Sequence, residues 1–227
     1  MTDLTASPAD ASGARSGPLA DHRRIARSEG LLPALRRLLD DLYGDRIPWG
    51  PGGHAVVPEP LGAGMTVLDT LPVEGETLRA LKNPDPDPDP DADAPDDDDP
   101  DRAAWSLGLA RLRLGLSERL RDTVLEHLAG RTVGDSRLLQ QQMVKGQVAD
   151  VLTAHLEIET MLDGAVPGDP DDDTVTRLHV QITESDRMLL RLLGAAGFLR
   201  DGPGGVAHAS ELLADAYAGP SPDGATP

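Results

Sequence analysis

The sequence predicts an all-α fold: an antiparallel four-helix bundle behind a partly disordered N-terminal extension. Three observations carry that expectation. From residue 102 onward, apolar residues recur at helical spacing in four consecutive segments. Short runs of helix breakers separate the segments: Gly130, "GDPDDD" (168–173) and "GPGG" (202–205). Connections that short join antiparallel neighbours. The chain is also 39% apolar but only 2% aromatic. Its core must therefore be built from Leu, Val and Ala, which suits helix-on-helix packing.

The elements follow in chain order. Residues 1–19 are rich in Ser, Ala, Gly and Pro and are expected to be disordered, as is the tail 220–227. Residues 20–43 place Leu31, Leu32, Leu35, Leu38, Leu39 and Leu42 at helical spacing, with Pro33 most comfortable near a helix start. Residues 44–75 are rich in Gly and Pro; "HAVV" and "MTVLD" read as loop or as a small irregular strand pair. Residues 20–82 thus form a small helical and irregular segment, expected to lay its helix against the bundle.

The stretch 83–101 carries ten aspartates and no cation. Alternating Asp-Pro removes backbone N–H donors and restricts the residue before each proline, and like charges keep the run extended. It reads as an acidic linker. Aspartates at alternate positions also suggest calcium, but no Asp-x-Asp-x-Asp-Gly loop closed by a Glu is present. The bundle spans 102–219. Its first helix carries one stripe (105, 109, 112, 116, 120, 124, 125, 128) and stops at Gly130. The second covers "SRLLQQQMVKGQVADVLTAHLEIETMLDG", with Leu139, Met143, Val148, Val151, Leu152, Leu156, Ile158, Met161 and Leu162 apolar. The third begins near Asp173 or Thr174, either of which can cap it, and the fourth is "GVAHASELLADAYAG".

Composition excludes several function classes. Without cysteine there is no disulfide, thiolate metal site or Cys nucleophile. A net charge of −18, with lysine only at Lys82 and Lys145, argues against a nucleic-acid partner, whose affinity comes from cations on phosphates. No apolar run approaches the ~20 residues that span a membrane. The first twenty residues lack the charged and apolar regions of a secretory signal, so the expected location is cytoplasmic. Histidines 22, 54, 127, 155, 179 and 208 fall in no metal-ligand spacing; His127, His155 and His179 are expected to serve packing. The "GPGG" at 202–205 lacks a preceding strand and a Lys, and reads as a plain turn rather than a phosphate loop.

Three stretches resemble the C-terminal helical domain of the acyl-CoA dehydrogenases. In "GRTVGDSRLLQQQMVKGQVADV", Arg131, Gly134, Gln141 or Gln142, and Ala149-Asp150 resemble that family's Arg–Gly–Gln–Ala-Asp order, with spacing off by about one residue. In "RLLGAAGFL", Gly194, Gly197 and Phe198 match a glycine turn, with Ala195 for its second Gly and Arg191 for its Gln. The stretch ending Tyr217-Ala218-Gly219 matches the family's Tyr-Glu-Gly, with Ala218 where the α-proton-abstracting Glu stands. The resemblance covers about half of the chain, and the 101 residues before the bundle cannot hold the family's two other domains.

The resemblance implies FAD as cofactor, held partly for a neighbouring subunit, with Arg131, Gln142, Arg191, Gly194 and Gly197 as contact residues. A guanidinium forks onto a pyrophosphate, and glycines let backbone approach phosphate. Against this, Arg131 equally suits a solvated helix end, and Arg191 can simply face water. The resemblance also implies an acyl-CoA or acyl-carrier thioester as ligand, and a homo- or hetero-oligomer, including one with a more complete acyl-CoA dehydrogenase chain. No catalytic base stands at Ala218. Glu211, two turns earlier, and Glu184, on the preceding helix, are weak replacements. Three functions stay open: a base-less subunit sharing a flavin site with a partner, a non-enzymatic helical interaction module, and a flavin oxidoreductase acting on CH–CH groups with a relocated base.

Overall fold

The computed structural model describes residues 16–84, 100–199 and 202–218. Expectations for residues 1–15, for most of the Asp/Pro run (85–99) and for the tail from 219 lie outside them. The described residues are mostly helical, with six α-helices and a small antiparallel sheet.

The helix expected over 20–43 is two helices, α1 (Ser16–Glu29) and α2 (Leu31–Leu42). They break at Gly30, whose φ of +106° is open to glycine but strained for other residues. The break is stabilised from far along the chain. The Glu74 carboxylate accepts the Leu31 N–H at 2.9 Å, capping α2 where no local side chain does. A side chain on residue 30 would collide with that carboxylate, its Cβ lying 2.5 Å from Glu74 Oε1. Pro33 sits in the first turn of α2, where its missing N–H costs nothing.

Three strands, not an irregular pair, follow: β1 (His54–Pro58), β2 (Thr66–Val73) and β3 (Glu76–Lys82), in the antiparallel order β1-β3-β2. The all-α expectation therefore gives way to helices plus a sheet. Strand β3, "ETLRALK", carries helix-forming residues. Pairing on both edges overrides that local preference.

Helix α3 (Pro100–Ala129) is the axis of the molecule. It was expected to be amphipathic with one stripe. Instead it is buried on every face over residues 107–118, because α1, α2, α5 and α6 all pack against it. Polar Arg111, Arg113, Ser117 and Glu118 are enclosed as a result. Gly115 permits the closest approach: a Cβ there would lie 2.2 Å from the Arg23 carbonyl oxygen of α1. Since that oxygen is backbone, it cannot swing aside. Gly115→Ala is expected to destabilise the fold by about 1–3 kcal/mol, read by urea unfolding; an unchanged midpoint would remove this contact from the account.

After α3 come a two-stranded hairpin, β4 (Thr132–Val133) with β5 (Ser136–Arg137), and a 3₁₀ turn (Leu138–Gln140). Helix α4 (Gln142–Asp163) consequently starts six residues later than the expected Ser136. Its inner face is Val151, His155, Ile158 and Leu162, while Leu152, Leu156 and Met161 are exposed. Helix α5 (Asp172–Leu193) is capped by Asp171, not by Asp173 or Thr174: the Asp171 carboxylate accepts the Thr174 N–H at 2.8 Å. A 3₁₀ turn (Gly194–Phe198) leads to α6 (Pro203–Tyr217). The "GPGG" read as a plain turn is the N-cap and first turn of α6, with Pro203 at the position that tolerates it.

One apolar cluster joins α2, the sheet, α3 and α6. Here Trp105 stacks edge-on against Tyr43 (5.5 Å) and Tyr217 (5.1 Å). A second cluster joins α3, α4 and α5. A third lies where the end of α3, the start of α4 and the end of α5 converge.

Candidate functional site

A cleft opens between the β2–β3 hairpin, α3, α5 and the first turn of α6. It has two lobes of about 600 and about 680 Å³, which share Pro72, Asp186, Gly205 and Ala207. Asp186 stands at their junction. It is 5% exposed, and its Oδ1 has no hydrogen-bond partner among the described residues. Burial pushes its carboxyl up to about 7, against the nearby Ser117 hydroxyl and the Arg113 charge, which favour the ionised form.

The wall behind Asp186 is polar and hydrogen-bonded. The Arg121 guanidinium donates to His155 Nδ1 at 3.1 Å, so His155 Nε2 carries the imidazole proton and donates to Ser117 Oγ at 2.8 Å. Burial holds His155 down at about 4, so it stays neutral and keeps that tautomer. Asp186, Ser117 and His155 are therefore not a nucleophilic triad. The imidazole donates to the hydroxyl instead of removing its proton, and Ser117 is fully buried.

Arg113 is also fully buried. It donates to Ser210 Oγ (3.0 Å), His179 Nδ1 (2.9 Å), the His179 carbonyl (3.2 Å) and Thr183 Oγ1 (2.7 Å). Burial lowers its pKa to about 10. Among the described residues no carboxylate pairs with it directly. Asp186, Glu211 and Asp215 act on it only through their fields. His179, held down at about 3 by burial and by Arg113, is neutral. As expected, His155 and His179 are packing residues.

The residues singled out from sequence are placed as follows. Arg131 is exposed in the turn before β4, Gln142 is exposed at the start of α4, and Arg191 is exposed in the last turn of α5. The elements that carry them converge on the third apolar cluster. Gly194 ends α5 at a φ of +59°, with open space where a side chain would be. Gly197 is required by packing, since a Cβ there would sit 2.8 Å from the Leu190 carbonyl. Glu211 lines one lobe of the cleft and pairs with Arg187 at its mouth; Glu184 is exposed on α5.

Ala218 caps the C-terminus of α6, at the opposite end of that helix from the cleft, and its carbonyl accepts from the Thr176 hydroxyl at 3.4 Å. Tyr217 beside it is structural. Its hydroxyl accepts the Val56 N–H at 3.0 Å and donates to the Val56 carbonyl at 3.2 Å, covering groups that edge strand β1 leaves unpaired. Tyr217→Phe should cost about 1–3 kcal/mol, because both Val56 groups are left buried and unsatisfied. Hydrogen exchange at Val56 checks this, and unchanged protection there would refute it.

Asp186 was missed by the sequence reading. Its signal is an interruption: the buried face of α5 runs Val175, Leu178, Ile182, Leu189, Leu193, and Asp186 takes the intervening turn. A charged residue in a core position calls for a partner or a ligand.

No protein-family model and no curated protein matches the chain. Among solved structures it is similar to a variant of the Tcur3481-Tcur3483 steroid acyl-CoA dehydrogenase, at 14% identity and a TM-score of 0.48, over 74% of this chain and 52% of that one. The chain thus spans about half the length of that protein. No helix among the described residues is long and apolar enough to cross a membrane.

Proposed function

We propose that the chain is an acyl-CoA dehydrogenase-like subunit, working in the cytoplasm, that shares or supports a flavin site with a partner chain and does not itself abstract a proton. The observation that carries this reading is the contrast between two ends. Arg131, Gln142, Arg191 and Gly194 are exposed on elements that converge on one end of the helices, open to a second molecule. Ala218 offers a methyl group where the resemblance puts a carboxylate.

The residues fit FAD in part. Arg131 and Arg191 supply guanidinium forks for a pyrophosphate, and Gly194 leaves its backbone approachable. Gly197 is taken up by packing against Leu190. Bound flavin would supply an electron acceptor, and this chain's part would be to hold and orient it. A thioester ligand would then meet its base on the partner, a homo- or hetero-oligomeric chain.

Absorbance in the flavin bands tests the reading. The expected result is colourless protein alone and yellow protein with a more complete dehydrogenase chain. Reduction of an artificial electron acceptor by the purified chain with acyl-CoA would overturn it. That outcome would favour a relocated base, with Glu211 in the cleft placed better than solvent-facing Glu184. A second reading, a non-enzymatic helical interaction module, is favoured by the exposed Leu152, Leu156 and Met161 of α4. It predicts no colour under any pairing.

A further inference from the structure

We propose that the cleft between the β2–β3 hairpin and the first turn of α6 binds a neutral, largely apolar small molecule carrying one hydroxyl or N–H group, whose proton is received by Asp186. The inference goes beyond the flavin reading and does not rest on it: the cleft belongs to this chain alone and needs neither flavin nor partner.

The missing donor is the first argument. A carboxylate oxygen buried without a partner costs about 1–3 kcal/mol or more, and Asp186 Oδ1 has none among the described residues while its side chain lines both lobes. The ligand has to supply what the protein does not, a hydrogen-bond donor.

Charge decides what kind of donor. Arg113 lies behind Asp186, Arg119 and Arg187 flank the lobes, and the N-terminus of α6 has no side-chain cap. Those positive fields disfavour an ammonium. Asp186, Glu74 and Glu211 disfavour an anion. A neutral hydroxyl or amide N–H suits both.

The walls decide the rest of the molecule. Leu116, Leu120, Val206 and Ala207 face one lobe and Leu190 the other. Each lobe lies within the roughly 300–1,000 Å³ typical of small-molecule sites, which are mostly apolar with a few placed polar groups. The Arg121–His155–Ser117 chain holds the back wall in one arrangement, so Asp186 is preorganised.

Naphthol and its methyl ether are suitable probes, since they share an apolar body and differ only in the donor. Titrations use the full chain at about pH 8, above the value near 7 to which burial lifts Asp186. Naphthol is expected to bind about tenfold or more tighter than the ether, the scale of a hydrogen bond to a charged acceptor. Asp186→Leu should bring naphthol down to the level of the ether and leave the ether unweakened. Val206→Trp, which fills one lobe, should weaken both probes.

Equal affinity of the two probes for the wild-type chain, no binding of either, or discrimination that survives Asp186→Leu would each overturn the proposal. Should Asp186→Leu fail to fold, the side-chain carboxyl carbon resonance of Asp186 in the wild-type chain decides. Naphthol should shift it and the ether should not, and a resonance unmoved by naphthol refutes the assignment.

Discussion

Unfolding free energy is expected to rise by about 3 kcal/mol between roughly pH 4 and pH 6.5, as the balance of opposing proton linkages from buried groups. His155 and His179 are held at about 4 and about 3 in the folded chain, against 6.5 unfolded. Below about pH 6.5 the unfolded chain takes up those protons and the folded chain does not, so stability falls with falling pH. His22, lowered by burial despite its contact with Asp41, acts in the same direction.

Asp186 opposes them. Its folded value near 7 lies above the unfolded 3.8, so the folded chain holds that proton across the window and stability falls as pH rises through it. Two histidines against one aspartate leave a net rise of about one proton, or about 1.4 kcal/mol per pH unit. The exposed carboxylates Glu76 and Asp171 and the half-buried Glu159, all lowered by their partners, act only below about 4.5. Urea unfolding at four or five pH values measures the slope. Asp186→Asn removes the opposing linkage and should roughly double it. A flat or falling profile from pH 4 to 6.5 would contradict the placement of both histidines.

Arg23→Met is expected to destabilise the chain by about 3–5 kcal/mol, because it strands a buried carboxylate. Arg23 on α1 grips Glu118 of α3 with two donors, at 3.0 and 2.7 Å, and reaches Glu159 of α4 at 2.6 Å. Glu118 is only 4% exposed. Among the described residues the other ion-pair partner of Glu118, Arg27, is 3.9 Å away and is itself paired with Asp122 at 2.8 Å. Converting both partners, Arg23→Met with Glu118→Met, should recover a large part of the loss, since apolar replacements carry no stranded charge. Thermal melts of the single and double variants test this. A single variant that loses less than about 1 kcal/mol would show that water, not Arg23, satisfies Glu118.

Much of the helical framework was legible in sequence because periodicity is a local property. The apolar positions of α5 and α6, the stop after Ala129 and the place of Pro33 in a first turn all follow from spacing, propensity and capping chemistry within a few residues. Where partners lie far apart along the chain, local spacing carries no information. Strand β3 is a strand because β1 and β2 flank it. Gly30 breaks a helix because Glu74 arrives to cap the next one.

The same division applies to the candidate sites. The glycines and arginines of the proposed flavin edge could be named from sequence, because they form short motifs. The cleft could not, because Asp186 of α5, Ser117 of α3 and His155 of α4 meet only once three helices pack. The sequence by itself determined much of the helical framework, the acidity of the chain and the absence of a carboxylate at Ala218. Only the tertiary structure decided which faces are covered. It buried α3 on all sides and tied Tyr217 to Val56 across 161 residues. It also left one buried carboxylate oxygen, Asp186 Oδ1, without a donor among the described residues, because burial and pairing depend on all the neighbours at once and not on the order of residues along any one helix.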